Sequence, residues 1–282
     1  MRHLQIALAA TLILIGACVD RTQPTAPEVS LYAMDCGRFS MADASVFADD
    51  GSYNGLAVEA VDPCYLIRHP DGDFLWDAGL PDALSQQADG YVSGPFTLRV
   101  PTRFVDQLAQ LQLTPADIEL FSISHSHFDH VGNAALLTNA TWIVDAEERA
   151  WMFREEARSD ENFALIAPLE NARTRLIEGD ADHDVFGDGS VTIIQAPGHT
   201  PGHTVLLVRL PDAGPVLLTG DMFHLAQSRE RRTVPTFNTD RAQTLASMDK
   251  VERIAAETGA RVVRQHVTED FEALPAFPEP LN

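Results

Sequence analysis

Ser124-His125-Ser126-His127-Phe128-Asp129-His130 gathers three imidazoles and a carboxylate in one short stretch, directly after the apolar run that starts at Leu120. In an extended chain, residues two apart point the same way. His125 and His127 are therefore placed to grip one ion together as a strand leaves its sheet. Asp129 and His130 fall at the turn into an apolar helix expected over residues 131–137, where they face a second ion. A single histidine is ordinarily a satisfied core or surface residue. Four such groups this close would leave several polar atoms to be paired if they were buried without a metal. Nitrogen and carboxylate donors at this density suit zinc, and also manganese, iron or cobalt.

On either side, short apolar runs bounded by turn residues predict strands over 31–36, 56–68, 74–76, 120–124, 142–144, 191–195, 204–210, 216–218 and 261–264. Helical periodicity is clearest over 103–111, 146–157 and 240–258. The last carries Leu245, Met248, Val251, Ile254 and Ala255 on one stripe, with Gly259 where a terminating glycine belongs. Thr114-Pro115-Ala116-Asp117 reads as a short helical turn opened by a capping Thr, with Pro at its first helical position. Strand-rich and helix-rich stretches recur in both halves, a pattern that fits two sheets packed face to face with helices outside.

The chain has 282 residues, 45% of them hydrophobic and 22% charged, the balance of a globular protein with a substantial core. Its formal net charge of -21, from 41 acidic and 20 basic residues, argues against nucleic acid as a partner, because phosphate binding needs a basic footprint. The densest basic run, Arg229 to Arg232, includes Glu230 and reads as a solvated turn or a set of local salt bridges.

Met1-Arg2-His3 is a short positive head, and residues 4–15 form an apolar run too short and wrongly flanked for a membrane span. The run ends in Ile15-Gly16-Ala17-Cys18, which resembles the bacterial lipobox, whose Cys is acylated and becomes the first residue of the mature chain. The expectation is a lipoprotein signal peptide over residues 1–17, export to the periplasm and a lipid anchor to a bacterial membrane through Cys18; an ordinary secretory signal is the alternative. Residues 18–29, with Pro24 and Pro27, read as a flexible tether, and the folded domain spans 30–282. Cys36 and Cys64 either pair in the oxidising compartment or remain two buried thiols.

The spacing of His125, His127, Asp129 and His130 resembles the His-x-His-x-Asp-His signature of the metallo-β-lactamase superfamily, in which distant His, Asp and His ligands follow. Matching positions end predicted strands here: Ala196-Pro197-Gly198-His199, Leu218-Thr219-Gly220-Asp221 and Arg264-Gln265-His266. The resemblance implies an α/β (α+β) four-layer αββα sandwich with two divalent metal ions, zinc being the expected metal, in the cleft at the sheet edge. It assigns His125, His127 and His199 to one ion, Asp129, His130 and His266 to the other, and Asp221 to both. In the tandem Pro197-Gly198-His199-Thr200-Pro201-Gly202-His203, the family places the ligand first, so His203 is expected to support the site from behind. His69 and His183 read as exposed turn residues.

Two such ions a few ångströms apart share a water, lower its pKa toward about 7 and polarise a carbonyl, which is the chemistry of ester, lactone or amide hydrolysis. The Gly-x-Ser-x-Gly elbow of serine hydrolases is missing around Gly198 to Gly202. The presence of Asp221 argues against a true β-lactamase, since those lack an Asp bridging the ions.

A wider resemblance, to the quorum-quenching N-acyl-homoserine lactonases, is carried by Leu31-Tyr32-Ala33-Met34-Asp35-Cys36-Gly37, Pro63-Cys64-Tyr65-Leu66-Ile67-Arg68-His69-Pro70, Leu75-Trp76-Asp77-Ala78-Gly79-Leu80-Pro81 and the run from Gly220 to Asn238. It implies attack of a metal-bound hydroxide on a small lactone, with Asp129 shuttling the proton to the departing ring oxygen. Many such lactonases have a Tyr three residues after the bridging Asp; His224 stands there and is expected to donate to the oxyanion. Residues 39–55 look like an aperiodic insertion. In resembling lactonases the equivalent region shapes the acyl pocket and meets a partner subunit, which implies Phe47 and Met41 as pocket residues and a homodimer. A glyoxalase II-like hydrolase of another lactone, ester or thioester is the alternative. A membrane-associated protein that binds metal without turnover is the non-enzyme reading.

Overall fold

The computed structural model describes residues 28–282; the signal-like segment 1–17, Cys18 and the tether as far as Pro27 lie outside the described residues. The first sheet comprises β1 (Ser30–Met41), β2 (Val58–His69), β3 (Gly72–Trp76), β4 (Tyr91–Ser93), β5 (Phe96–Arg99), β6 (Leu120–Ser122), β7 (Thr141–Asp145) and β8 (Thr174–Ile177). Its spatial order is β4-β5-β1-β2-β3-β6-β7-β8. The second comprises β9 (His183–Asp184), β10 (Val191–Gln195), β11 (Thr204–Leu210), β12 (Gly214–Leu218) and β13 (Arg261–Val263), in the order β13-β12-β11-β10-β9.

Strand alternation builds the four layers. Successive side chains point to opposite faces, and both faces of these strands are buried, so the strands read as continuous apolar runs. In β2, Tyr65 and Ile67 face the second sheet, whereas Cys64 and Leu66 face outward. In β11, Leu206 and Val208 meet them between the sheets, while Val205 and Leu207 turn to the other side. The outer face of the first sheet is covered by Phe104 and Leu108 from the helix Phe104–Gln110, with Met152 from Ala146–Met152. The outer face of the second sheet is covered by Met248, Val251 and Ala255 of the helix Arg241–Thr258. Asp240 caps that helix by accepting from Gln243 N, and Gly259 ends it at φ 67°.

Several expected boundaries move for identifiable reasons. The first strand continues past Cys36 to Met41, through a register shift between Asp35 and Arg38. That bulge breaks the period of two on which a sequence reading depends, and it turns the start of the supposed insertion into strand. The rest of the insertion holds a short 3-10 turn, Ser45–Phe47. The helices expected over 131–137 and 146–157 are each broken into two short pieces: Phe128–Val131 with Ala134–Leu137, and Ala146–Met152 with Glu155–Ser159. Asn133 divides the first pair by turning its side-chain amide to the carbonyls of Ala78 and Leu80. The short strands β4, β5, β8 and β9 carry no strong alternation and were not expected.

His69 and His183 are also not exposed turn residues. His69 is buried, stacked on Phe186 at 3.9 Å and 3.0 Å from Asp188 Oδ2; His183 is half-buried in β9, paired with Ile193. The Arg229 to Arg232 run is mostly a short helix, Ser228–Arg231, rather than a turn, and its ion pairs reach the long helix: Arg229 with Glu252 and Arg232 with Asp249.

Cys36 and Cys64 are joined in a disulfide that ties β1 to β2, with 5.7 Å between their Cα atoms. Closing a loop of 28 residues restricts the unfolded chain by about 3–4 kcal/mol. Cys36→Ala is therefore expected to lower the unfolding free energy by about 2–4 kcal/mol in denaturant titration. Stability equal to the unreduced parent would show that the thiols are not paired.

Candidate metal centre

The ligands leave the sheets at one edge because the strands that carry them end there. His125 and His127 follow β6, which runs parallel to β3; His199 follows β10; Asp221 and His266 follow the parallel neighbours β12 and β13. A crevice outside the carboxyl ends of strands is where open α/β sheets place their sites. Thr204 N donates to Ser124 O at 2.9 Å and joins the two sheets at that edge. Gly220, at φ 47°, lets the chain turn toward Asp221 where a Cβ would stand 2.7 Å from that of Ser124.

Two groups of ligand atoms result: His125, His127, His199 and Asp221 in one, Asp129, His130 and His266 in the other, with the atoms of each group within 4.8 Å of one another. His127 Nδ1 lies 2.8 Å from His125 Nε2 and 3.1 Å from His199 Nε2. Asp221 Oδ2 completes this set at 3.6 Å from His125 Nε2 and 3.5 Å from His199 Nε2. Four atoms around one ion at metal–nitrogen distances of about 2.0–2.1 Å stand roughly 3.3 Å apart in a tetrahedron, so the spacing fits. The other oxygen, Asp221 Oδ1, lies 3.2 Å from His130 Nε2 and 2.9 Å from His266 Nε2. Asp129 is 3.9 Å from the first of these nitrogens and 3.8 Å from the second. His130 Nε2 and Asp221 Oδ1 are buried without a hydrogen-bond partner, as befits atoms that turn lone pairs to a metal.

Hydrogen bonds behind the ligands aim those lone pairs. His130 Nδ1 donates to Asp77 Oδ2 at 3.0 Å, and His266 Nδ1 donates to Val61 O at 3.0 Å. His203 Nδ1 donates to Ala196 O at 3.0 Å, which leaves Nε2 to accept Asp221 N–H at 3.1 Å. Burial pushes this imidazole down to about 4, so it is neutral and supports Asp221 from behind, as expected. Glu148, fully buried, accepts Ser126 N at 2.7 Å and Gly202 N at 3.0 Å, clamping the first ligand loop to the loop of His199. Such partners fix the orientation and basicity of ligands.

The charges are strongly interdependent. Burial works against ionisation of Asp221, yet the imidazoles of His266, His224 and His130 hold its carboxyl well below the usual range. Burial, then the neighbouring imidazoles, drives His125 and His199 well below the ordinary histidine value. Burial also opposes charge on His266, but Asp221 and Asp129 outweigh it and lift the group to about 9.

All seven expected ligands are thus brought together. The sequence alone assigns Asp77 and Glu148 no role, although Asp77 directly follows β3. In front of the groups lies an apolar chamber whose wall includes Phe39, Phe47, Phe96, Phe128 and Phe237. Phe47 is there as expected. Met41 is not: it lies two residues beyond Phe39 on β1, farther along the strand, and is buried in the same apolar cluster as Phe39 and Phe47 without lining the chamber. His224 is buried behind Phe47, their ring centroids 4.9 Å apart, with Nε2 at 3.1 Å from Asp221 Oδ2.

The metallo-β-lactamase superfamily model matches residues 62–266. An N-acyl homoserine lactonase AttM of Azorhizobium caulinodans is 30% identical over 258 residues, covering 89% of this chain and 96% of that protein. The corresponding protein of Rhizobium johnstonii is 31% identical over 247 residues, covering 85% and 93%. A solved N-acyl homoserine lactone hydrolase, with the product N-hexanoyl-L-homoserine at its catalytic metal centre, is similar at a TM-score of 0.75 and 26% identity, over 89% of this chain and 98% of that one. The chain belongs to the metallo-β-lactamase superfamily, in the group of its members that holds these lactonases.

Proposed function

We propose that the protein is a dinuclear metal hydrolase that opens the ring of N-acyl homoserine lactones. The carrying observation is the split of Asp221: one oxygen faces each ligand group, and both groups open onto the aromatic chamber. The full-length likeness to lactonases gives that geometry its substrate class. The donor set of imidazoles and carboxylates suits zinc; two such ions supply a nucleophile from water at neutral pH and draw charge from a carbonyl oxygen.

The chain's own residues do the rest. Asp129 lines the chamber and is placed to carry a proton to the ring oxygen as the acyl C–O bond breaks, which leaves an acyl homoserine carboxylate and a free hydroxyl. His224 Nε2, held beside Asp221 Oδ2 and against the ring of Phe47, is the proposed donor to the substrate's carbonyl oxygen. Export and acylation at Cys18 accompany this reading, on the lipobox-like sequence alone, with residues 18–29 as the tether of the domain.

Purified protein should carry two ions per chain, and Asp221→Ala should lose both metal and activity; an active enzyme with one ion per chain would remove the bridging role. In the metal-free state, Asp221 and Asp129 hold a proton on His266 up to about 9, and a ligand nitrogen must give that proton up. Loading at pH 7 should therefore release protons, read by calorimetry in buffers of different ionisation enthalpy, and metal should be lost as pH falls. Uptake without proton release would contradict the ligand role of His266.

His224→Ala should lower kcat by roughly 10- to 1,000-fold with both ions retained, and His224→Tyr should restore part of it. Loss of an ion would instead make His224 a ligand, and an unchanged kcat would remove its catalytic role. The native protein should partition with membranes, and Cys18→Ser should release it; a soluble periplasmic form without lipid by mass spectrometry would rule out the anchor.

A further inference from the structure

The described chain begins at the edge of the sandwich opposite the ligands. β1 and β3 each pair with β2 in the antiparallel sense and so run the same way: Ser30 opens β1 at the far edge, and Phe39 reaches the chamber at the near one. Ser30 pairs with Arg68 beside the turn into Gly72, and Leu31 bridges Leu281. The turn from β11 into β12 lies at the same far edge. From Ser30 to Phe39, at about 3.3 Å per residue, the strand covers roughly 30 Å.

A lipid on Cys18 therefore holds the domain by the end farthest from its chamber. The chain from Cys18 to Glu28 reaches at most about 33–36 Å when fully extended, and a flexible chain of that length spans about 16–19 Å on average. Laying the chamber mouth on the bilayer needs the tether to run back along the whole of β1, close to its limit. Charge keeps the far edge from lying flat on the lipid. Asp71, Glu119, Asp188 and Asp212 are exposed there; Arg173 and Arg209 are the cations nearby, and Arg68 is held by Asp73. An anionic lipid surface draws in basic segments, and this edge offers it an acidic one. Repulsion acts within a Debye length, about 8–10 Å.

We propose that the anchor holds the domain on end, with the turns at the far edge toward the bilayer and the chamber opening away from it, so that the lactone enters from water and not from the membrane. The inference rests on acylation at Cys18 and on the lactonase reading, and goes beyond both. A lactone with a long acyl tail divides between bilayer and water, and only its dissolved share meets the site.

The test uses the acylated, metal-loaded protein on vesicles of phosphatidylethanolamine and phosphatidylglycerol. Spin labels go on Asp212→Cys at the far edge and on Leu56→Cys, an exposed position just before β2 at the chamber edge. A gadolinium-chelate lipid in the bilayer should broaden the label at 212 strongly and leave the label at 56 unchanged. Broadening at 56 equal to or greater than that at 212 would overturn the orientation. With N-dodecanoyl homoserine lactone, added lipid should lower turnover by the fraction of lactone it takes up, equally for the vesicle-bound protein and for soluble Cys18→Ser. A bound form that keeps its rate while Cys18→Ser loses it would show entry from the bilayer and overturn the inference. Native protein that carries no lipid and stays in solution would overturn the anchor and the orientation together and leave the lactonase reading intact.

Discussion

One buried carboxylate, Asp221, organises this molecule. Its two oxygens face separate sets of imidazoles, Oδ2 toward His125 and His199, Oδ1 toward His130 and His266. A charge placed so deep is tolerated only where it is paired, and here the pairing imidazoles come from three segments far apart in the chain. The neutral His203 adds its weight from behind, accepting the Asp221 N–H. Each segment must therefore end at the same edge of the sandwich, which constrains strand order and the direction of each crossover.

The fold meets that constraint with parallel neighbours. β12 and β13 run together, so Asp221 and His266 emerge on one side; β3 and β6 do the same for Asp77 and the His125 loop. Dense packing between the sheets, with Tyr65, Trp76, Leu206 and Leu218 fully buried, keeps the two edges in register. Side-chain clamps then hold the loops. Asp77 takes Ser124 N at 2.6 Å as well as the His130 ring, and Glu148 bridges the first ligand loop and the loop of His199. Ligands on rigid strand ends, held by such clamps, are pre-oriented for the ions.

Apart from Phe128, the chamber wall is separate in the chain from that machinery. The phenylalanines of the chamber come from β1, from the 3-10 turn after it, from β5, from the helix that follows His127 and from the loop before the long helix. None lies in the strands that carry the later ligands, His199, Asp221 and His266. The wall can thus vary while the ligand set stays, which is how one scaffold supports different substrates.

The ligand-bearing stretch from Ser124 to His130 was legible because its chemistry is local, a spacing of two on a strand and polar groups at the end of an apolar run; the three later ligands were legible only through the resemblance to the family signature. The buried strands and the long helix were legible locally as well, through periods of two and 3.6. The sequence by itself thus determined the ligand inventory, the layer pattern and the class of chemistry. Only the tertiary structure decided that Cys36 reaches Cys64, that Phe39 and not Met41 faces the chamber, and that Asp77 and Glu148 clamp the loops. These depend on contacts between segments distant in the chain and on how far β1 runs past its bulge, since Phe39 and Met41 lie two residues apart on one face of it. A one-residue slip in a strand reverses every side chain beyond it, and no local pattern records where the slip occurs.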